Sequence, residues 1–180
     1  MFRISYDNFT IKTLTLHLKV ISMENNVLIR KAKLKDLPVL LQFEQGIIEA
    51  ERPLDETLKQ GNISYYDLAE LIESDTVEVL VAVIDNEIVG SGYAKIKTAK
   101  PYLDHENYVY LGFMFTHHNH RGKKINALIV EGLKKWCLSK HVFELRLDVY
   151  DSNLGAIKAY EKVGFKKDMV NMRIRLNEKN

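Results

Sequence analysis

Cysteine and long apolar runs are the two features that this sequence most clearly lacks. It has a single cysteine, Cys137, so no disulfide can form within one chain, and unpaired cysteine is usual in a reducing compartment. No apolar run approaches the ~18 residues of a membrane span. Polar residues such as Asp7, Asn8 and Lys12 interrupt the apolar residues near the start. We therefore expect a cytoplasmic protein with no membrane partner.

The sequence also lacks an excess of charge of either sign. Its 26 basic and 24 acidic residues leave a net charge of +2. A nucleic-acid-binding domain usually carries a strongly basic stripe, so we expect no nucleic-acid partner. A chain of 180 residues can bury about 70% of its unfolded surface in one core, and no repeat or linker divides it.

The first 22 residues stand apart from the rest of the chain. They precede a second methionine, Met23, and apolar residues alternate loosely from Phe9 to Ile21. Two interpretations remain open for 1–22: an added edge strand or subunit contact, or a largely disordered upstream extension. Met23 favours the second interpretation, and we expect residues 23–180 to form a single domain.

Hydrophobic periodicity predicts a mixed series of strands and helices. Predicted strands are 27–32, 77–84, 88–96, 108–115, 145–150 and 169–176, and predicted helices are 37–50, 64–72, 125 onward and 153–163. A polar turn at 85–87 joins the second and third strands into a hairpin. Ser64 is predicted as the N-cap of the second helix, with Asp67 as the acid of a capping box.

The stretch around the fourth strand has the pattern of an anion site. An apolar strand, residues 108–115, leads through a basic turn with Arg121, Lys123 and Lys124 into a helix. The first amides of a helix have no intrahelical partner and lie at the positive end of its dipole. Such a helix start favours a phosphate.

This turn resembles the pyrophosphate loop of the GNAT superfamily of N-acetyltransferases, written Q/R-x-x-G-x-G/A. The loop here reads Arg121-Gly122-Lys123-Lys124-Ile125-Asn126, so Lys124 and Asn126 replace both glycines of the motif. We expect Lys124 to take a helical, negative φ, which would leave its N–H available to a ligand.

A second GNAT signature follows at the right distance. The strand 145–150 leads to Asn153, which opens a helix, with Tyr160 seven residues later and a closing Gly164-Phe165. The resemblance implies an α/β fold of the GNAT type: a mixed, mostly antiparallel twisted sheet flanked by helices.

The resemblance also implies an activity, the transfer of an acetyl group from acetyl-CoA directly to a primary amine of an unidentified acceptor. The implied cofactor contacts are Met114, Phe115, Thr116, Arg121, Gly122, Lys123, Lys124, Ile125, Asn126, Asn153 and Tyr160. Tyr160 would be the general acid, although a half-buried helical tyrosine is the alternative. Asn153 could equally be only an N-cap. Homodimers are common in the family, so a homodimer is a further expectation.

The base and the acceptor site are less constrained by sequence. Glu106, at the entrance of the 108–115 strand, is the first candidate base and Asp148 the second, although each could simply be solvated or paired. The resemblance places the acceptor near Glu49, Glu51, Arg52 and Tyr110.

Other reactive side chains have simpler interpretations. His117, His118 and His120 fit a solvated loop better than a metal site, because at most two can reach one ion. Cys137 fits a buried, inert thiol. Because the loop lacks its glycines, the alternative function is a non-catalytic CoA-binding or regulatory module on the same fold.

Overall fold

The computed structural model describes residues 20–22 and 26–176, with one sheet as its centre. The strands are β1 (Val20–Ser22), β2 (Val27–Lys31), β3 (Val77–Ile84), β4 (Glu87–Thr98), β5 (Asn107–Thr116) and β6 (Leu145–Arg146). They lie in sequence order across the sheet, and every neighbouring pair is antiparallel except β5 and β6. The predicted mixed, mostly antiparallel sheet is confirmed.

Helices cover both faces of this sheet. They are α1 (Leu37–Glu51), α2 (Leu68–Glu73), α3 (Ile125–Ser139) and α4 (Leu154–Lys162), with short 3-10 turns at Leu34–Asp36 and His118–His120. On one face α3 buries Ile129 and Leu133 against the central strands. On the other face α1 buries Leu40 and Phe43. Burial on both faces explains why the central strands have continuous apolar runs.

A bulge interrupts β5 near its end. Ser91 pairs with Phe115 and Tyr93 with Gly112, so two residues of β5 lie opposite Gly92 alone. One of them, Phe113, has a φ of 56°, and its carbonyl accepts a 3.1 Å hydrogen bond from Ser91 Oγ. A bulge of this kind bends a strand and is common beside active sites.

Local geometry corrects one predicted turn and one predicted helix start. The hairpin turn is the two-residue Asp85-Asn86, both with positive φ (48° and 68°), as in a type I′ turn. The second helix starts later than predicted, because Asp67 rather than Ser64 is the N-cap and its Oδ1 accepts from the Glu70 amide at 2.9 Å. Ser64 Oγ instead donates to the buried carboxylate of Glu44.

The end of the chain departs most from the prediction. Only Leu145–Arg146 of the predicted 145–150 strand forms a ladder. The predicted strand at 169–176 is wrong: this segment forms no ladder within the described part of the chain, and its large apolar side chains are exposed. Strand propensity does not suffice without a partner edge.

At the other end, Val20–Ser22 pairs with β2 as an edge strand. Residues 1–19 of the expected extension lie outside the described residues. No helix within 26–176 is long and apolar enough to cross a membrane.

Candidate active site

The two parallel strands β5 and β6 separate soon after they meet. Their ladder contains only the pairs Val109–Leu145 and Tyr110–Arg146, preceded by a 2.8 Å bond from the Val109 amide to the Glu144 carbonyl. On its other side, β5 stays paired with β4 as far as Thr116. Among the described residues, the side of β5 that faces β6 therefore has no backbone partner beyond Tyr110. The predicted cofactor contacts Met114, Phe115 and Thr116 lie on this unpaired stretch.

The basic turn at the start of α3 is built from two left-handed residues. Gly122 has a φ of 77° and Lys124, the N-cap of α3, has a φ of 61° and a ψ of 16°. The expectation of a negative φ at Lys124 is wrong. The chain leaves the 3-10 turn at His118–His120 and must reverse into α3, and this reversal uses the backbone conformation that glycine adopts without strain.

This turn leaves several hydrogen-bond donors without partners. Within the described chain, the amides of Lys124, Ile125, Asn126 and Ala127 make no backbone hydrogen bond, and Lys124 makes no side-chain cap. Residues 121–124 are exposed. Nothing lies within 4 Å of the position that a Cβ on Gly122 would take. Free helix amides, an open approach and cationic side chains fit a pyrophosphate group.

Histidines border the same turn. The His117 and His118 rings lie 4.3 Å apart, and His120 Nδ1 is buried without a hydrogen-bond partner among the described residues. Residues 26–176 contain no group of three or more His, Cys, Asp or Glu side chains arranged to hold a metal ion. The unpartnered His120 nitrogen is a further polar atom beside the free amides.

Helix α4 carries Asn153 at its start and Tyr160 near its end. Asn153 is the N-cap of α4, and its Oδ1 accepts from the Ala156 amide at 3.1 Å, so the predicted capping role is confirmed. The Tyr160 ring packs edge-on against Phe165 with centroids 5.9 Å apart. Burial, followed by the charge of Glu51 and the nearby Tyr66, raises the pKa of Tyr160 to about 12.

A half-buried carboxylate, Glu51, lies near Tyr160 at the end of α1. Burial raises the pKa of Glu51 above its usual range, and the charge of Asp55 adds to the effect, although the Tyr65 hydroxyl opposes it. The Tyr65 hydroxyl approaches Glu51 closely enough to perturb both groups. The Tyr65 hydroxyl oxygen is nevertheless buried and has no hydrogen-bond partner within the distance and angle limits among the described residues. The hydroxyl therefore remains available as a donor.

The loop that carries Tyr65 and Tyr66 is held by Glu44, which is only 1% exposed. The Glu44 carboxylate accepts from the Tyr65 amide at 2.7 Å, from the Tyr66 amide at 2.8 Å and from Ser64 Oγ at 3.0 Å. The Tyr66 ring in turn lies 5.6 Å from that of Phe113 at the bulge. The buried Glu44 carboxylate on α1 thus holds the rings of Tyr65 and Tyr66, here called the tyrosine wall, beside β5. Sequence reasoning missed it, since Glu44 lies 20 residues or more from its partners.

Two more polar pairs lie around this wall. Tyr150 Oη donates to Asp55 Oδ2 at 3.2 Å, and Tyr110 Oη donates to Asp148 Oδ2 at 3.0 Å. Burial, then the Asp148 charge, raises the pKa of Tyr110. Tyr110 and Asp148, both named from the sequence, are therefore brought together.

Other residues named from the sequence lie apart from this cluster. Glu106 is exposed at the entrance of β5, and its carbonyl accepts from the Ala99 amide at 2.8 Å. Glu49 is exposed on α1. Arg52 donates to the Lys59 carbonyl at 2.7 Å and so braces the following loop. Cys137 is buried, and burial raises the pKa of its thiol to about 11, which makes it a poor nucleophile at neutral pH.

Comparisons with known proteins bear on the family and the fold. The Acetyltransferase (GNAT) family profile matches residues 45–165. A streptothricin acetyltransferase of Escherichia coli is 33% identical over 84 residues, which are 47% of this chain and 44% of that protein, so the match spans less than half of that relative.

Solved structures share the fold at lower identity. A variant of a protein from Bacillus halodurans aligns with a TM-score of 0.75 and 21% identity, over 83% of this chain and 99% of that chain. An aminoglycoside N-acetyltransferase in complex with CoA aligns with a TM-score of 0.64 and 17% identity, over 83% of this chain and 98% of that chain. Since the family profile covers well over half of the 180 residues, this chain belongs to the GNAT family of acetyltransferases.

Proposed function

We propose that this protein is an acetyl-CoA-dependent N-acetyltransferase that acetylates a primary amine on a cationic acceptor. The observation that carries the proposal is the gap between β5 and β6, which ends beside the free amides at the start of α3. Unpaired strand backbone next to an anion-binding helix start suits a ligand with an amide-containing arm and a pyrophosphate. CoA has both.

The residues present fit such a donor. The unpaired side of residues 111–116 would hydrogen-bond the pantetheine arm, and residues 121–126 would hold the phosphates. When bound, acetyl-CoA supplies an activated acetyl thioester. An amide of the unpaired β5 backbone is a suitable donor for an oxyanion hole, a role typically worth about 3–4 kcal/mol in other acyl-transfer enzymes.

Tyr160 holds a proton on the α4 side of the gap. With a pKa of about 12 its hydroxyl stays protonated throughout the working pH range. Because this pKa lies well above the ~8.5 of an ordinary thiol, Tyr160 acts mainly by donating a hydrogen bond to negative charge that develops beside it.

Glu51 is the base that the geometry favours. An amine that is protonated at neutral pH must lose a proton before it attacks a carbonyl carbon. Glu51 is half-buried and has a raised pKa, and it is close enough to Tyr160 to perturb it. Glu106, in contrast, is exposed at the entrance of β5. In this proposal Glu51 accepts the ammonium proton, and the neutral amine then attacks the acetyl carbonyl. The C–N bond forms as the C–S bond breaks, and a second amine proton passes to the departing CoA thiolate.

The charges around the site favour a cationic acceptor. None of the ion pairs found among residues 26–176 includes Glu51 or Asp148, and both carboxylates border the tyrosine wall. Tyrosine rings beside carboxylates also suit a cation, through contacts with ring faces. Streptothricin and an aminoglycoside, which the names of two similar proteins mention, are the first acceptors to test.

The test is steady-state acetyl transfer, followed by release of free CoA thiol and by the mass of the acetylated product. Streptothricin, an aminoglycoside and an uncharged alcohol that has no amine would be compared at equal concentration. Turnover with a cationic amine and none with the alcohol supports the proposal. Absence of turnover with any amine, although acetyl-CoA binds, would contradict it.

One observation favours the alternative of a CoA-binding module without turnover. Lys124 takes a left-handed φ where the family motif has glycine, so its Cβ and side chain occupy space beside the phosphate site. Thermal unfolding with saturating CoA and with acetyl-CoA separates the cases. A shift with both ligands together with turnover supports the enzyme, and a shift without turnover supports the module.

A further inference from the structure

The connection between α1 and α2 depends on side-chain contacts for its position. Residues 52–67 form neither helix nor strand, so no ladder of backbone hydrogen bonds holds them. Gln45 Nε2 donates to the Ile63 carbonyl at 3.0 Å, and Arg52 donates to the Lys59 carbonyl at 2.7 Å. A segment of this kind keeps one conformation only where such contacts fix it.

Glu44 makes the buried contact of this set. Its carboxylate accepts from two consecutive amides, those of Tyr65 and Tyr66, and from Ser64 Oγ. None of the ion pairs found between residues 26 and 176 includes Glu44. A buried carboxylate without a cationic partner is costly unless hydrogen bonds replace its lost hydration, and such charge-assisted bonds are roughly twice as strong as neutral ones. The charge of Glu44 is therefore compensated by the backbone of the tyrosine wall.

Both tyrosines of this wall lie beside groups that the proposed reaction uses. The Tyr66 ring packs edge-on against Phe113 at the bulge of β5, with centroids 5.6 Å apart. Burial raises the pKa of Glu51, the proposed base, and the Tyr65 hydroxyl opposes this rise. Because the amides of both tyrosines are bonded to Glu44, loss of its carboxylate would release both rings together.

We propose that Glu44 is a positioning residue for the amine acceptor, which it serves by holding Tyr65 and Tyr66 in the orientation that binds the amine. Glu44 itself touches no reacting atom. None of its hydrogen bonds reaches residues 111–116 or 121–126, which are the proposed donor contacts, so donor binding is independent of it. This inference rests on the proposed function, because it concerns the acceptor of the same reaction.

The first test is steady-state acetyl transfer at saturating acetyl-CoA, with the streptothricin or aminoglycoside concentration varied. Glu44→Ala should raise the KM for the amine about 10- to 100-fold, because two buried amides lose their acceptor. Its kcat should stay within about threefold of wild type, since the wall binds the amine and does not react. Glu44→Gln keeps an accepting oxygen but not the charge, so its KM should rise less, about 3- to 10-fold.

The matched control is Glu73→Gln, which neutralises an exposed carboxylate on α2 and should leave KM and kcat unchanged. The dissociation constant of CoA, measured by calorimetry, should agree between wild type and both Glu44 variants within about twofold, because the donor contacts lie elsewhere.

Amide hydrogen exchange supplies a readout that needs no turnover. In Glu44→Gln the amides of Tyr65 and Tyr66 should exchange faster than in wild type, while those of β3 and β4 should be unchanged. Unchanged exchange at both tyrosines would overturn the proposal, since Glu44 would then not hold the wall.

The kinetic outcomes separate this inference from the function on which it rests. A wild-type protein that acetylates no amine overturns the proposed function, and this inference with it. Wild-type turnover combined with an unchanged acceptor KM in both Glu44 variants overturns the positioning role alone. A fall in kcat and in the number of CoA sites per chain, at unchanged KM, also overturns it, because that is the result of a smaller folded fraction.

Discussion

The two halves of the sheet differ in how completely their strands are paired. From β2 to β4 the ladders are long and antiparallel, and residues such as Val79, Val81 and Ala82 are at most 1% exposed. From β5 to β6 there are only two paired positions, and the following chain contains most of the large exposed apolar residues. The antiparallel half is therefore the more completely paired part of the sheet. The unpaired backbone of the second half is where a ligand can bind.

The largest expected effect is the loss of the base. Glu51→Gln should lower kcat by about 10²–10⁴, because a glutamine cannot accept the ammonium proton. The exposed Glu49→Gln, two residues away on α1, should retain activity within about twofold, since surface changes are usually nearly neutral. In the wild-type enzyme the rate should fall as pH decreases through the raised pKa of Glu51.

Glu51→Gln should have the opposite effect on stability: it lowers activity but raises stability at neutral pH. Burial raises the folded-state pKa of Glu51 above its ordinary value of 4.5, so its stabilising contribution is complete below that value and is lost as pH rises through the folded pKa. Glu51→Gln should therefore unfold at a slightly higher temperature than wild type at neutral pH, and the difference should vanish at low pH. A kinetic loss accompanied by lower stability at neutral pH would instead indicate a structural role.

In the paired half, a core truncation should be costly. Leu133→Ala on α3 removes a side chain that is fully buried against the central strands, and we expect it to lower the free energy of unfolding by about 2–5 kcal/mol. Leu138→Ala on the same helix, where the side chain is 56% exposed, is the matched control and should cost well under half as much. Denaturant unfolding measures both. Equal losses would mean that the two positions are not distinguished by packing.

A smaller effect is expected at Tyr160. If its hydroxyl stabilises developing charge by a hydrogen bond, Tyr160→Phe should remove about 1.5–3 kcal/mol of transition-state stabilisation, roughly 10- to 150-fold in kcat. The KM for acetyl-CoA should change little, because the hydroxyl acts in the transition state. Unfolding should also change little, since Tyr160 Oη makes no hydrogen bond among the described residues. A change confined to KM would place Tyr160 in binding alone.

The smallest effect is a gain at the basic turn. Lys124→Gly should stabilise the fold by about 1 kcal/mol, because the left-handed φ of 61° disfavours a side chain. It should also bring the turn closer to a bound pyrophosphate. Lys123→Gly is the control, since Lys123 does not have a positive φ. A destabilised Lys124→Gly protein would show that the lysine side chain contributes contacts that outweigh the strain.

The sequence predicted the features that depend on local pattern. The continuous apolar run of β5, the N-cap at Asn153 and the order of strands and helices follow from periodicity and capping preferences. The predicted sheet is confirmed because these local preferences agree with the tertiary packing.

The features that were missed depend on distant parts of the chain. Glu44 reaches a loop 20 residues away, and the left-handed φ of Lys124 follows from the reversal into α3 rather than from the residue itself. The segment 169–176 has strand propensity, but whether it pairs depends on an edge that must be supplied. Glu51 and Tyr160 are 109 positions apart in sequence, and only the fold brings them close.

The most direct test of the central claim is amide hydrogen exchange of the protein with and without saturating CoA. We predict new protection in two separate stretches, residues 111–116 on the unpaired side of β5 and residues 124–127 at the start of α3. Among the described residues, the β6-facing side of the first stretch and the helix start of the second both have backbone groups without partners. Binding of CoA that leaves both stretches unprotected, or that protects only residues elsewhere, would contradict the assignment of this gap as the donor site.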